Sequence, residues 1–298
     1  MSQPHRSEFR LLHRLRVRWA EIDLQRIVFN PHYLMYIDTA FTAYWRAMAM
    51  PYESIPALLG GDLYVKKSTL EYHGSAHLDD LLDIGVRCER VGNSSMGFRC
   101  GVFCGDTLLV SGELVYVFAD PAAQSARPIP QTLRAMLQDF EAGATMFDTA
   151  IGSGAELGAQ AGALRQEVLG DALRMVDCAN DAAQDAAAVH VLLRNRLGQA
   201  LATGRLAQQG LAVCGDACIA WIAVTRSMRD SGLGSAVVQA LVQQARARGD
   251  RRLTLCTTMG AKGFWERMGF VASGEAVLQA GLAHQTMVRS LTPAQGGA

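Results

Sequence analysis

The sequence predicts an α+β protein in two domains: a first with one long helix against an antiparallel sheet, and a second with an α/β arrangement on a mixed sheet. Three observations predict it. Residues 11–119 run as one strand, one long helix and then four strands divided by turn signals. Residues 142–160 are Gly/Ala-rich with little periodicity, which breaks the chain in two. Residues 217–256 read strand, glycine loop, helix, strand, the order of a βαβ unit.

The totals fit this. At 298 residues the chain has room for two domains at the usual ~150 each. An apolar fraction of 50% and a charged fraction of 19% are those of a globular protein with real cores. The formal net charge is zero, which favours neither nucleic acid nor an anionic membrane as a partner. The basic N-terminus lacks a following apolar run, so a signal peptide is not expected, and no stretch approaches the roughly 18 apolar residues of a spanning helix. Seven cysteines without a CxxC pair suit free thiols in a reducing cytosol, hence a cytoplasmic location. Cys100 with Cys104, and Cys214 with Cys218, lie four apart in strand-like text, a core-packing spacing; no metal site is expected.

Residues 11–19 alternate as a strand, with Leu15, Val17 and Trp19 on one side and Arg14, Arg16 and Arg18 on the other. Glu21 and Asp23 follow in the first turn. Asp23 serves equally well as acid/base or as a turn residue or helix cap. Asn30-Pro31-His32 then punctuates the entry to a helix over 33–49 with Tyr33, Tyr36, Ile37, Phe41, Tyr44 and Trp45, ended by Met50-Pro51. Strands are expected at 61–73, 81–91, 95–103 and 107–119, the last two joined by a Gly105-Asp106 hairpin. Residues 128–141 form an amphipathic helix with Leu133, Met136, Leu137 and Phe140 on one side. The first domain is thus 1–141, the linker 142–160 and the second domain 161–298.

In the second domain the patterns predict a helix over 164–176, a polar stretch at 177–185, and strands at 189–194, 200–206 and 217–225. A loop at 229–234 and a helix over 235–248 follow, then a strand at 252–256, a short helix at 261–268 and two small strands near 270–272 and 285–288. Arg229-Asp230-Ser231-Gly232-Leu233-Gly234 joins a strand to a helix. Its glycines let backbone approach a ligand, and the helix behind it offers free amides and a positive dipole end to an anion. Glycines for a tight βα turn account for the same spacing.

That Arg-x-x-Gly-x-Gly pattern, with Gly263-Phe264-Trp265-Glu266-Arg267-Met268-Gly269-Phe270 downstream, resembles the GNAT N-acetyltransferase superfamily over about 164–290. Leu164-Arg165-Gln166-Glu167-Val168-Leu169, Ala202-Thr203-Gly204-Arg205-Leu206 and the closing residues 280–287 agree with it. The resemblance implies that the backbone of 229–234 (Arg229, Ser231, Gly232, Leu233, Gly234) holds the CoA pyrophosphate. It also implies that the strand at 222–225, with Val224, contacts pantetheine and thioester. Many members carry a Tyr in the short helix to protonate the leaving thiolate; this chain has Phe264-Trp265 there, and an indole N–H is no acid at neutral pH. No carboxylate base stands on 217–225, and His284 is a candidate only by default.

Trp19-Ala20-Glu21-Ile22-Asp23 and Ile27-Val28-Phe29-Asn30-Pro31-His32-Tyr33, in a strand–Asp–helix–meander order, resemble the hotdog-fold acyl-CoA thioesterases of the 4-hydroxybenzoyl-CoA thioesterase type, over about 10–140. The resemblance implies that Asp23 is nucleophile or general base. It implies that the segment from Val28 through Phe29 and Asn30 to Tyr33 polarises the thioester carbonyl with amides at the helix start. It further implies a homodimer or homotetramer through this domain. Arg26 stands where the family commonly has Gly, and Asn30 where some members have His. Tyr33, Tyr36 and Tyr44 are expected to pack, and His73 and His77 to do no chemistry. Together the two resemblances imply a bifunctional enzyme acting on acyl-CoA or acetyl-CoA as substrate, with no permanently bound cofactor and an unknown amine as acceptor. The alternative is one catalytic half beside a dimerising or CoA-sensing module.

Overall fold

The computed structural model describes residues 3–170, 178–208, 216–279 and 281–291. They fall into two compact units that divide between Met146 and Phe147. Among the described residues no helix is long and apolar enough to cross a membrane.

The first unit carries β1 (Leu12–Arg16), α1 (Pro31–Ala47), α2 (Ile55–Leu59), β2 (Asp62–Tyr72), β3 (Leu81–Val91), β4 (Ser95–Cys104), β5 (Thr107–Asp120), β6 (Ser125–Ala126) and α3 (Gln131–Glu141). The sheet is antiparallel in the order β1-β3-β4-β5-β2, with β6 on β5. It curls around α1. Positions 33, 36, 37, 40, 41, 44 and 45 recur at the helical period and are all buried. Phe41 stacks on Tyr116 at 4.3 Å and meets Phe98 edge-on at 4.9 Å, and Tyr44 meets Phe140 of α3 at 4.9 Å. Each such pair adds about 1 kcal/mol to the burial of its rings. The Tyr44 hydroxyl donates to Glu141 Oε1 at 2.6 Å, and the same oxygen accepts the Cys88 amide at 2.8 Å, so the helix is tied to α3 and to β3 together.

The first strand is shorter than its alternation suggests. It ends at Arg16, and Trp19, expected on the apolar side with Val17, is 82% exposed in a turn of 3₁₀ helix. Val17 is buried and hydrogen-bonded to Asp80, so the chain leaves the sheet directly after it.

The second unit carries β7 (Phe147–Ser153), α4 (Gly154–Leu169), α5 (Cys178–Ala187), β8 (Val189–Asn195), β9 (Ala200–Gln208), β10 (Asp216–Val224), α6 (Leu233–Arg248), β11 (Arg252–Thr258), α7 (Lys262–Arg267), β12 (Val271–Ala272), β13 (Val277–Gln279) and β14 (Leu282–Ser290). The sheet order is β12-β14-β11-β10-β9-β8-β7, with β13 on β14. Only β10 and β11 pair in parallel among the described strands, which makes the sheet mixed. Leu157 and Leu164 of α4 pack with Leu192 on one face. On the other face, α6 buries Val237, Val238, Leu241, Val242 and Ala245.

The stretch expected to be a linker is structured over much of its length. Residues 147–153 pair along all of β8 as an edge strand, and α4 starts at Gly154, ten residues before the expected helix. A capping box starts that helix: Glu156 accepts from the Ser153 amide at 2.8 Å and from its hydroxyl at 2.9 Å. An edge strand with three apolar residues in seven, followed by an Ala/Gly-rich stretch of helix, carries little periodicity, so composition hid the strand and the start of the helix. The later part of the expected 164–176 helix, from 171 on, lies outside the described residues, as does Cys214. The polar stretch after it is helix α5, whose Asp185 takes Arg165 through two bonds of 2.7 and 2.6 Å and Arg205 at 2.7 Å.

Asp83 shows how charge holds the first unit. It is buried on β3 and receives Arg14 at 2.8 and 2.9 Å and Arg6 at 2.7 Å. The Arg14 hydrogen bonds, with those of Arg6 added, outweigh the opposing effect of burial and hold its carboxyl at about 2. A carboxyl depressed in the folded state stabilises above its unfolded value and loses that stability as pH falls through the folded one. Asp83→Asn should therefore cost about 2 kcal/mol at pH 7 in urea unfolding, with the deficit closing between pH 4 and pH 2. A deficit independent of pH would assign the loss to packing instead.

Candidate functional site

In the first unit the residues after β1 build a small hairpin that ends at α1. Asp23 and Ile27 pair through the Asp23 amide at 3.0 Å, Ile22 and Val28 form a bridge, and the Phe29 amide donates to the Glu21 carbonyl at 2.9 Å. The Val28 amide crosses to Ala76 at 2.9 Å and fixes the hairpin to the loop after β2. At the tip, the Gln25 amide donates to Asp23 Oδ1 at 2.8 Å and the Arg26 amide to the Asp23 carbonyl at 3.0 Å. Asp23 Oδ1 is thereby a turn acceptor, and among the described residues Oδ2 has no protein donor. Arg26 sits at φ 63°, the left-handed region. A glycine needs no strain there, and Arg26 takes it at a cost.

Glu21 anchors the base of this hairpin. It is 3% exposed and accepts the Arg18 amide at 2.8 Å, the Arg18 guanidinium, and the Tyr36 hydroxyl at 2.7 Å. Burial alone would push its carboxyl up, but the bonds from Arg18 and Tyr36 outweigh it and the net direction is down. Burial, with Glu21 beside it, pushes the Tyr36 phenol up. Both groups are held in their ordinary ionisation states as a structural pair.

Asp23, Val28, Phe29, Asn30 and Tyr33 line one cleft of about 360 Å³. Sequence reasoning missed its other wall, Tyr72, Gly74 and Ser75 at the end of β2 and in the following loop. Tyr72 meets Tyr33 edge-on at 5.8 Å, and the Tyr33 hydroxyl accepts the Ala76 amide at 2.8 Å. Nothing in the local text of 72–75 pairs it with Asp23; only the sheet brings them together. Asn30 has helical backbone angles directly before Pro31. The amides of Val28, Phe29, His32 and Tyr33 all have backbone acceptors, and Pro31 has no N–H. Among the described residues the Asn30 amide is therefore the donor of this segment left for a ligand. His73 is engaged with Ser111 at 2.8 Å and His77 lies 3.7 Å from Asp80, both away from this cleft.

In the second unit the parallel pairing of β10 and β11 covers only Asp216–Cys218 against Arg252–Thr254. Both strands run on, to Val224 and Thr258, without pairing to each other, so the sheet opens between them. A bulge at Trp221 and Ile222, with Trp221 at φ 55°, turns β10 at that point. Gly204 on β9 lies opposite. A Cβ there would run into the Ile222 and Val237 side chains, so any larger residue makes them shift.

The opening holds a cleft of about 790 Å³. Its floor is the loop into α6. Gly232 has φ 87°, and the first helical bond runs from the Ala236 amide to the Gly232 carbonyl at 3.0 Å. The amides of Leu233, Gly234 and Ser235 precede that bond and have no protein acceptor among the described residues. Val224, Arg229, Gly232 and Gly234 line the cleft. Ser231 and Leu233 do not present side chains to it: the Ser231 hydroxyl donates back to the Met228 carbonyl at 2.5 Å, and Leu233 is buried in the core. Ile222, at the start of the 222–225 strand, lines it too, and sequence reasoning missed Ser235 and Arg267, which also line it. Their spacing from the glycine pair on strand and helices was the available signal.

The short helix α7 turns Phe264 to the cleft, while Trp265 is buried and donates its indole N–H to Thr257 at 3.1 Å. His284 is bound to the Leu282 carbonyl at 3.0 Å and does not line the cleft. Among the described residues no group of His, Cys, Asp and Glu is placed to hold a metal ion.

A curled antiparallel sheet around one helix is the hotdog architecture, and a mixed sheet split beside a glycine loop and helix is that of GNAT proteins. Residues 25–111 match the family model described as Thioesterase superfamily, and residues 179–291 the one described as Acetyltransferase (GNAT) domain. The chain joins a thioesterase-superfamily domain to a GNAT acetyltransferase domain. It is 26% identical over 120 residues to the acyl-CoA thioester hydrolase YbgC of Escherichia coli O157:H7, covering 40% of this chain and 89% of that protein. Among solved structures, a thioesterase superfamily protein from Jannaschia sp. CCS1 aligns at 19% identity and a TM-score of 0.43, over 46% of this chain and 96% of that one. The PA5185 protein of Pseudomonas aeruginosa strain PAO1 aligns at 24% identity and 0.41, over 48% and 99%.

The left-handed Arg26 gives a direct test of the turn. Arg26→Gly should raise stability by about 1 kcal/mol, seen as a higher urea midpoint at unchanged slope. A lower midpoint would mean that the guanidinium contributes more than the turn costs.

Proposed function

We propose that the N-terminal domain hydrolyses acyl-CoA thioesters and that the C-terminal domain transfers an acyl group from CoA to an amine. For the first domain, the observation that carries the reading is the meeting of the Asp23 carboxylate with the open Asn30 amide in one cleft. The amide, at the positive end of α1, stabilises the oxyanion that forms on the thioester carbonyl. Asp23 acts through Oδ2, as nucleophile or as base for the attacking water. The C–S bond breaks and the CoA thiolate takes a proton from solvent. Single-turnover incorporation of ¹⁸O into Asp23 separates the two routes. Exposed Trp19, Leu24, Phe29 and Met35, with edge strand β2, support assembly as a homodimer or homotetramer through this domain. Free thiols support a cytoplasmic location.

For the second domain, the carrying observation is the amide cradle of 233–235 opening into the gap between β10 and β11. The pyrophosphate of acyl-CoA lies on the cradle, Arg229 flanks it, and the pantetheine runs along Val224. The amine attacks the thioester carbon and CoA thiolate leaves. Acyl-CoA is consumed as substrate, and no permanently bound cofactor is part of this reading.

A second reading, in which this half senses CoA and the other half catalyses, is favoured by one observation. The face of α7 toward the cleft carries Phe264, and Trp265 is committed to Thr257, so neither can protonate the thiolate.

Asp23→Asn should lower release of free thiol from a panel of acyl-CoAs by about 10²-fold or more, since general-base catalysis is worth that much. Equal rates would remove Asp23 from the mechanism. Gly232→Val cannot adopt φ 87° without strain. It should abolish CoA protection of the α6 amides in hydrogen exchange while leaving thiol release intact; retained protection would refute the cradle.

A further inference from the structure

Two segments face each other across the N-terminal cleft, and each has one main-chain donor to spare. On the side of α1 that donor is the Asn30 amide, since its neighbours from Val28 to Tyr33 are engaged or, as Pro31, have no N–H. The far wall repeats the arrangement. The His73 and Gly74 amides both donate to the Leu109 carbonyl, at 2.8 and 3.0 Å. The Ala76 amide donates to the Tyr33 hydroxyl at 2.8 Å, and the His77 amide to Asp80 Oδ2 at 2.7 Å. Among the described residues the Ser75 amide is the one in 73–77 without a protein acceptor. Ser75 lines the same cleft as Asp23 and Asn30.

Hydrogen bonds on either side of Ser75 hold the two walls together. The Val28 amide donates to the Ala76 carbonyl at 2.9 Å, and the Tyr72 hydroxyl donates to the Asn30 carbonyl at 3.4 Å. The residue before Ser75 is tied to β5 and the residue after it to α1. A donor fixed in this way needs no reorganisation when charge develops beside it, which is the condition for stabilising an oxyanion. The oxygen of a carbonyl has two lone pairs, and a single amide occupies one of them.

Resting on the thioesterase reading of this cleft, we propose that the Ser75 amide is a second oxyanion donor, opposite the Asn30 amide. Attack on the thioester carbon moves the C=O π pair onto oxygen, which then accepts one hydrogen bond from each wall. When that pair returns, the C–S bond breaks, and the thiolate leaves with the bonding electrons and takes a proton from solvent. Asp23 acts at carbon, and the two amides act at oxygen.

The test is thiol release from an acyl-CoA by the full chain in amine-free buffer, where the other domain has no acceptor. In a form with Ser75 replaced by its α-hydroxy acid, an ester stands where the amide was and the N–H is lost. Its kcat should fall about 10²-fold with KM unchanged. Inhibition by an acyl-CoA trifluoromethyl ketone, which mimics the tetrahedral oxyanion, should weaken by the same factor. Inhibition by an alkyl-CoA thioether, which has no carbonyl, should hold; weakening of both inhibitors alike would mean a packing role and overturns the proposal. Ser75→Ala keeps the amide and should lose much less than the ester form. An equal loss moves the donor to the hydroxyl and overturns the amide assignment. Full kcat in the ester form, beside an inactive Asp23→Asn, overturns the role of Ser75 and leaves the hydrolase reading standing. Asp23→Asn at the wild-type rate sinks that reading, and the second donor with it.

Discussion

The first domain depends on the burial of one face of α1. Seven residues at the helical period go into the curl of the sheet, and Phe41 with Tyr116 and Phe98 forms its centre. That burial fixes where the N-terminus of the helix ends up, and with it the Asn30 amide. The Tyr36 hydroxyl then carries the same constraint outward: it holds the Glu21 carboxylate, Glu21 holds the hairpin base, and the hairpin holds Asp23. A buried carboxylate with four donors is tolerated only while all of them are present, so helix and hairpin are one mechanical unit. Aromatic packing far from Asp23 is thereby part of what places it.

The second domain solves a similar problem with a strand pair that stops early. Three residues of parallel pairing hold β10 to β11, after which the bulge at Trp221 and Ile222 turns β10. Backbone groups that a closed sheet would use are left facing the gap, beside the open end of α6. In both domains open main-chain amides at a helix start thus face the cleft. Such a design asks little of any one side chain. It explains why Ser231 and Leu233 can face away from the cleft without loss of the cradle.

The two glycine positions of the family patterns have different physical meanings here. Gly232 is needed for its positive φ, while at Gly204 the Ile222 and Val237 side chains occupy the space of a Cβ. Arg26 shows the opposite case. The turn asks for a left-handed residue, the chain supplies an arginine, and the hydrogen bonds that Asp23 accepts from the Gln25 and Arg26 amides hold it there. Sequence alone marks Arg26 as unusual, and its backbone angle supplies the reason.

Long-period patterns were legible in the sequence because burial of one face repeats along the chain. The α1 stripe, the meander of β2 to β5 and the strand–loop–helix–strand order around α6 all follow from it. Asp23 and the glycine loop were legible as well, since local turn chemistry confines the residues that can stand there. Edge strand β7, the early start of α4, the far wall of the first cleft at 72–75 and the facing of Arg267 into the second were decided only by tertiary structure. Each depends on a partner distant along the chain: β8 for β7, the sheet for Tyr72 and Ser75, the gap beside β11 for Arg267. Local periodicity records which face of an element is apolar, and it carries no term for which distant backbone that face will meet.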